Sequence, residues 1–204
     1  MIITREGKSF FKFVLAGKTI AINPVSKNSK EKVIKFGSDL ALSTIFHPDF
    51  NGFQEVSYKD KIPFQIKGPG EYEIDGIFLK GFGIIENFEN NTEMVTSYSI
   101  LFDNIHIAFI GQISSWDKFT DEAFEEFSQS EIFFVPVSSL TPAGAVKFLK
   151  QFEPKIIIPY FSNKEEVSDF SDSFGVGLEK MDKFTIKKND ISESKIRIID
   201  LNIN

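Results

Sequence analysis

Apolar and polar residues alternate in short runs through the first half of the chain. Residues 9–15 and 18–22 read as two β-strands joined at Ala16-Gly17, the spacing of a hairpin. Residues 39–45 form an almost unbroken apolar run after Gly37, the pattern of a strand buried on both faces. Strand patterns recur at 62–67, 71–74 and 77–82, with Gly68-Pro69-Gly70 and Asp75-Gly76 as the turns between them. Residues 96–102 and 105–110 predict another hairpin through Asp103-Asn104. Beyond residue 120 the period lengthens. Thr120 is placed to cap a helix, with Asp121 and Glu122 in its first turn and Phe124 and Phe127 on its inner face. Thr141-Pro142 is a stronger start, a capping oxygen followed by proline at the first helical position. Ala145, Phe148, Leu149 and Phe152 follow at helical spacing, and Pro154 stops the helix. Asn163 opens a third helix, with Val167, Phe170 and Phe174 inward and Gly175 past its end. Residues 132–137 and 155–160 flank the second helix as buried strands, and such a strand–helix–strand unit is parallel and right-handed. Residues 183–188 and 195–201 predict a closing β-ribbon. Strands first, then strands alternating with helices, give an α+β fold. The expected plan is a four-layer αββα sandwich, two sheets face to face with helices on both outer sides, over residues 1–204 as a single domain.

Composition narrows the chemistry. The chain is 42% hydrophobic and 25% charged, which excludes general disorder. Its 24 phenylalanines, against one Trp and four Tyr, read as core filler. There is no cysteine and there are two histidines. Disulfides, thiol catalysis and iron–sulfur chemistry are excluded. So is a dinuclear zinc site of the usual kind, which draws its ligands mainly from His and Cys. No basic start followed by an apolar run opens the chain, and no apolar run nears the ~18 residues of a membrane span. We therefore expect a cytoplasmic protein with no membrane association. A net charge of −6 repels phosphate backbones, so no nucleic-acid partner is expected. The basic stretch at 27–35 reads as solvated surface. Gly68-Pro69-Gly70 lacks the Lys-Ser/Thr of a phosphate loop. No G-x-S-x-G elbow supports a serine hydrolase. His106 reads as a core or edge histidine, Trp116 as a core or lid residue.

Several local pieces resemble the metallo-β-lactamase superfamily, and its small bacterial zinc-dependent-hydrolase, lactonase-like branch in particular. Asn23-Pro24 stands where that family has Asp-Pro after its second strand. Gly68-Pro69-Gly70-Glu71-Tyr72-Glu73, followed by Gly76-Ile77-Phe78-Leu79-Lys80-Gly81, is similar to its P-G-E-Y-E and G-[VI]-F-[IL]-K-G segments. Val135-Pro136-Val137, the helix after Thr141, and Glu153-Pro154-Lys155-Ile156-Ile157-Ile158-Pro159 resemble its V-P-V and E-P-K-[IV]-[VI]-I-P stretches. The order and spacing of these pieces span about three-quarters of the chain.

The family's metal ligands are where the sequence departs. Its H-x-H-x-D-H motif falls on Ile45, His47, Asp49 and Phe50. The next ligand histidine falls near Ile85 or Glu86, the bridging aspartate on Gln112 after Gly111, and the last histidine on Phe161. The histidine of the family's G-H-S segment falls on Lys8. Isoleucine and phenylalanine have no lone pair to offer a metal and exclude water from the space they fill. The resemblance thus implies a degenerate metallo-β-lactamase-fold protein, non-catalytic, with no cofactor or functional metal, acting by binding a small ligand or a protein partner. Ile45, Phe50 and Phe161 are expected to converge. Two other readings stay open. One is a metal-dependent hydrolase with an atypical site at His47, Asp49 and Glu86. The other is a structural subunit of a homo-oligomer that buries a Phe-rich surface.

Overall fold

The computed structural model describes residues 1–191 and 195–204. In chain order the strands and helices are β1 (Ile2–Arg5), β2 (Phe11–Leu15), β3 (Lys18–Ile22), β4 (Leu40–Leu42), β5 (Phe64–Ile66), β6 (Gly70–Ile74), β7 (Ile77–Phe88), β8 (Asn91–Phe102), β9 (Ile105–Phe109), α1 (Asp121–Ser128), β10 (Ile132–Pro136), α2 (Val137–Leu140), α3 (Pro142–Leu149), β11 (Ile156–Tyr160), α4 (Lys164–Phe174), β12 (Leu178–Met181), β13 (Lys183–Thr185), α5 (Lys188–Ile191) and β14 (Arg197–Leu201). They build two mixed sheets. The smaller has the order β13-β1-β2-β3-β4-β5 and the larger β12-β14-β11-β10-β9-β8-β7-β6. The fold is therefore the expected α+β sandwich.

The phenylalanines explain how the sheets meet. Phe11 and Phe13 of the small sheet point inward at Phe109, Phe134 and Tyr160 of the large one, all almost fully buried. The Phe11 and Phe134 rings meet edge-on at 4.9 Å, and Phe109 stacks on Phe134 at 5.1 Å. Such geometries add roughly 0.5–1.5 kcal/mol per pair beyond area burial. On its outer face the large sheet carries α1, α3 and α4, through Phe127, Phe148, Leu149 and Phe170 packed with Phe133, Ile157 and Ile198. Thr120, Thr141 and Asn163 cap these helices as their sequences predict, each side-chain oxygen accepting a first-turn N–H. The outer face of the small sheet carries loops in place of helices. Val25, Phe53 and Val56 cover Phe10, Ala21 and Ala41, with Val33, Ile34 and Phe36 packed alongside.

Three further features differ from the sequence expectation. β7 and β8 are longer than predicted, a hairpin of two 12-residue strands that runs out to Glu89 and Asn90, both at positive φ. The closing ribbon does not form: β13 pairs with β1 in the small sheet, whereas β14 runs parallel to β11 and β12 in the large one. Two strands, β1 and β12, had no clear signal. Parallel pairing of β10 with β11 around α3 is as expected. Among the described residues no helix is long and apolar enough to cross a membrane.

Candidate functional site

The candidate site lies where the ends of β3, β4, β8, β9 and β11 meet. Asn23, just past β3, adopts positive φ and turns its Oδ1 toward β4, where it accepts from Thr44 N at 2.8 Å and Thr44 Oγ1 at 3.0 Å. Thr44 O accepts from Thr96 N at 2.7 Å, and Ile45 bridges to Val95. The chain leaving β4 is thereby stitched to the large sheet. Gly111 lets the next wall approach: a Cβ there would lie 2.6 Å from Val95 Cγ1 and 2.7 Å from Thr96 O. Its N–H donates to Ser97 Oγ at 2.9 Å, which sets Gln112 at the mouth.

The seven positions singled out from the sequence are distributed as follows. Asp49, Phe50 and Gln112 line one cleft of about 200 Å³, together with Lys8, Ser9 and Phe88. Phe161 borders a small recess that adjoins the cleft through Lys8, Gln112 and Ser162. Ile45 is buried in the same apolar cluster as Phe50, with Ile84, Val95 and Ile113. His47 stands at the rim, its ring edge-on to Phe88 at 5.2 Å and to Phe50 at 6.1 Å. Glu86 is turned elsewhere. Its buried carboxylate accepts from Ser114 N at 3.1 Å and Ser114 Oγ at 2.8 Å, and pairs with Lys118 Nζ at 2.9 Å.

These partners decide whether a metal fits. Asp49 N donates to His47 Nδ1 at 3.3 Å, which leaves the ring proton on Nε2. His47 Nε2 faces Glu89 Oε2 at 3.3 Å. Both ring nitrogens are thus engaged, and neither points a free lone pair into the cleft. Asp49 accepts a hydrogen bond from Ser29 Oγ. The atypical metal site at His47, Asp49 and Glu86 is therefore corrected: Glu86 is held by Ser114 and Lys118 and does not join the other two. Among the described residues no three His, Cys, Asp or Glu side chains are placed to hold a metal ion together. The residues present do not fit the metal that the fold family implies.

Sequence reasoning missed two residues here. Arg5 is almost fully buried, and its guanidinium donates to Gly7 O at 3.1 Å, to Lys8 O at 2.6 Å and to Phe161 O at 3.0 Å. It also lies over the Phe161 ring, 4.5 Å from the centroid. One side chain thus ties the Gly7–Lys8 loop to Phe161, which is 156 residues from Arg5 in sequence. Burial brings its pKa down to about 10, while Asp200 and Tyr160 pull the other way. Ser9 is the second. It is buried as a residue and lines the cleft. The family's G-H-S segment points to this loop through Lys8, the residue before it. A larger groove, about 560 Å³, lies beside α1 on the outer face of the large sheet and contains none of the seven positions.

Two packed mixed sheets with helices on an outer face, and a cleft at the strand ends, define a β-lactamase-like sandwich. Residues 3–160 match the β-lactamase superfamily domain, and the chain belongs to that superfamily. Among solved structures it is similar to a protein from Thermotoga maritima described as a zinc-dependent hydrolase of the metallo-β-lactamase superfamily. They share 20% identity over 98% of this chain and 99% of the other, with a TM-score of 0.76. It is also similar to a metallo hydrolase from Ignicoccus hospitalis (16% identity, 91% and 99% covered, TM-score 0.60) and to an isothiocyanate hydrolase from Delia radicum gut bacteria (13%, 91% and 99%, 0.64). At these identities the likeness speaks for the fold. No curated protein matches the sequence.

Proposed function

We propose that this chain is a non-catalytic member of the superfamily that uses the cleft between Lys8, Asp49 and Gln112 to bind a small ligand. A single observation carries the reading. At the family's first motif the two outer ligand positions are Ile45 and Phe50, both buried in an apolar cluster, and the remaining histidine has both nitrogens occupied. A metal-activated water needs several neutral imidazoles or carboxylates around an open position. Side chains that are apolar and buried replace that need with packing. A small ligand is favoured over a protein partner because the polar groups converge inside a cleft.

The test is metal content and its effect on stability. Protein purified without chelator should carry no stoichiometric zinc, and its thermal melts with excess chelator and with added zinc should coincide. About one zinc per chain retained through dialysis, or a fall of many degrees on chelation, would overturn the reading and restore the hydrolase.

A further inference from the structure

We propose that the open edge of the large sheet at β6 takes an extended segment of a partner protein, added as an antiparallel strand in which basic and apolar residues alternate. This surface shares no lining residue with the cleft beside Lys8 and Gln112 and does not depend on what that cleft binds. β6 ends its sheet, with β7 on one side and no strand on the other. It has five residues, against three or four in each of the other strands at sheet edges. Its turn shows which backbone groups are free. Asp75 and Gly76 both have positive φ, the mark of a two-residue hairpin turn. The flanking pair Ile74–Ile77 exchanges backbone hydrogen bonds, and bonded pairs alternate from there. Tyr72 therefore bonds to Leu79 and Gly70 to Gly81, whereas Glu71 and Glu73 turn N–H and C=O outward. Among the described residues nothing bonds to those four groups. Such a row is a template for one more strand.

The side chains select the partner. Tyr72 and Ile74 pack against the inner core and stay half-buried. Glu71 and Glu73 lie on the opposite face and line the groove of about 560 Å³ beside α1. Glu126 is the third carboxylate of that groove, and Lys80 is its one ammonium, already shared between Glu71 and Glu122. Glu73 has no side-chain partner among the described residues. Phe78 pairs with Glu73 across the strands, shares its face and is 46% exposed, so the stem of a long basic side chain finds apolar surface beside the carboxylate. In antiparallel addition, the residues opposite Glu71 and Glu73 share their face and exchange both backbone hydrogen bonds with them. Opposite charges are favourable in such pairs and like charges are not. Those positions require Lys or Arg, and the positions between them, beside Tyr72 and Ile74, require apolar side chains. The same rule disfavours a second copy. Two β6 edges paired about a two-fold axis would set the glutamates of one against those of the other.

The experiment is calorimetry and amide-exchange NMR on the full chain, with the peptide acetyl-Arg-Val-Arg-Val-Arg-amide as probe. It should bind with a dissociation constant of about 100 μM or tighter and slow exchange at the N–H groups of Glu71 and Glu73. The same peptide with glutamate in place of arginine should bind about tenfold more weakly or worse. N-Methylation of the arginine amides leaves the charge and blocks the bonds to β6, so it should abolish binding. N-Methylation of the valine amides, which face away from β6, should leave binding intact. The double variant Glu71→Lys, Glu73→Lys should reverse the preference and take the glutamate peptide. Its melting temperature should stay near the parent's, because both side chains are exposed and a surface ion pair contributes little. Three results overturn the inference. The first is no binding of the arginine peptide. The second is binding that methylated arginine amides leave intact, which would be attraction by charge alone. The third is a chain already dimeric in solution, with the Glu71 and Glu73 N–H groups protected before any peptide is added, which would give the edge to a second copy.

Discussion

Replacing Ile45 by histidine puts the family's residue back into a space now filled by hydrocarbon. Ile45 is 1% exposed and packs with Phe50, Ile84 and Val95. Losing its burial forfeits part of the roughly 1.5–3 kcal/mol that a fully buried aliphatic side chain contributes. The imidazole carbons recover some of that. Its two nitrogens find no polar partner among those neighbours, and an unsatisfied buried polar group costs about 1–3 kcal/mol. The sum is about 2–4 kcal/mol, a large share of the ~5–15 kcal/mol stability of an ordinary domain. Urea unfolding followed by far-ultraviolet circular dichroism, with chelator present, should show the midpoint lowered by about 1–2 M for a slope near 2 kcal/mol/M. A pH signature follows. Burial favours the neutral imidazole, so the folded pKa falls below the ordinary value of about 6.5. Below that value the unfolded chain binds the additional proton, and stability drops further as pH falls. Between about pH 7.5 and 5.5 the variant should lose about another 1.4 kcal/mol relative to the parent. A variant as stable as the parent at both pH values would mean that the position is wet, and the packing argument for a site without metal would fail.

Arg5→Met should leave the carbonyls of Gly7, Lys8 and Phe161 without their donor, for about 3 kcal/mol or more and a melting temperature lower by about 6–12 °C; an unchanged melt would show that water replaces the guanidinium. Glu86→Ala should cost about 1.5–3 kcal/mol and speed amide exchange at Ser114, whose N–H it now accepts; unaltered protection at Ser114 would refute the contact. Asp39 is pushed up by burial, but hydrogen bonds from Lys61 and from Thr19 N pull its pKa below the ordinary 3.8 by more. Its contribution is therefore complete above that ordinary value and is lost as pH falls through the lowered one. Asp39→Asn should flatten the acid limb of the stability–pH curve below about pH 4, and an acid limb as steep as the parent's would show that other carboxylates govern it.

Much of this architecture is legible in the sequence because local signals agree with the global fold. Thr120, Thr141 and Asn163 announce their helices, and the α3 crossover follows from strand patterns on either side. Asp49, Phe50 and Gln112 come together as the family spacing implies. What is not legible depends on partners far away. β13 and β14 are both short strand signals near the end of the chain, and nothing local says that they enter different sheets. Glu86 is drawn toward Ser114 and Lys118, which lie in the loop before α1. β1 has four residues, too few for a period to show. The loops over Phe10 and Ala41 are apolar enough to cover a sheet, yet they carry no helical spacing.

The placement of β1 has a consequence for the order in which the protein assembles. Ile3 pairs with Phe13 on one side and with Phe184 on the other, so one edge of this four-residue strand has to wait for residues 181 positions later. At about 5–20 residues per second, roughly 9–36 s of synthesis separate the two. During that interval the β1 edge of the small sheet stays open, and until residue 161 is made Arg5 can reach Gly7 and Lys8 but not Phe161. Pairings this distant pay their loop-closure entropy before any contact rewards it. The cleft beside Lys8 and Gln112, which needs both walls, is accordingly among the last features to form, and a nascent or partly refolded chain should acquire its helices well before the cleft is complete.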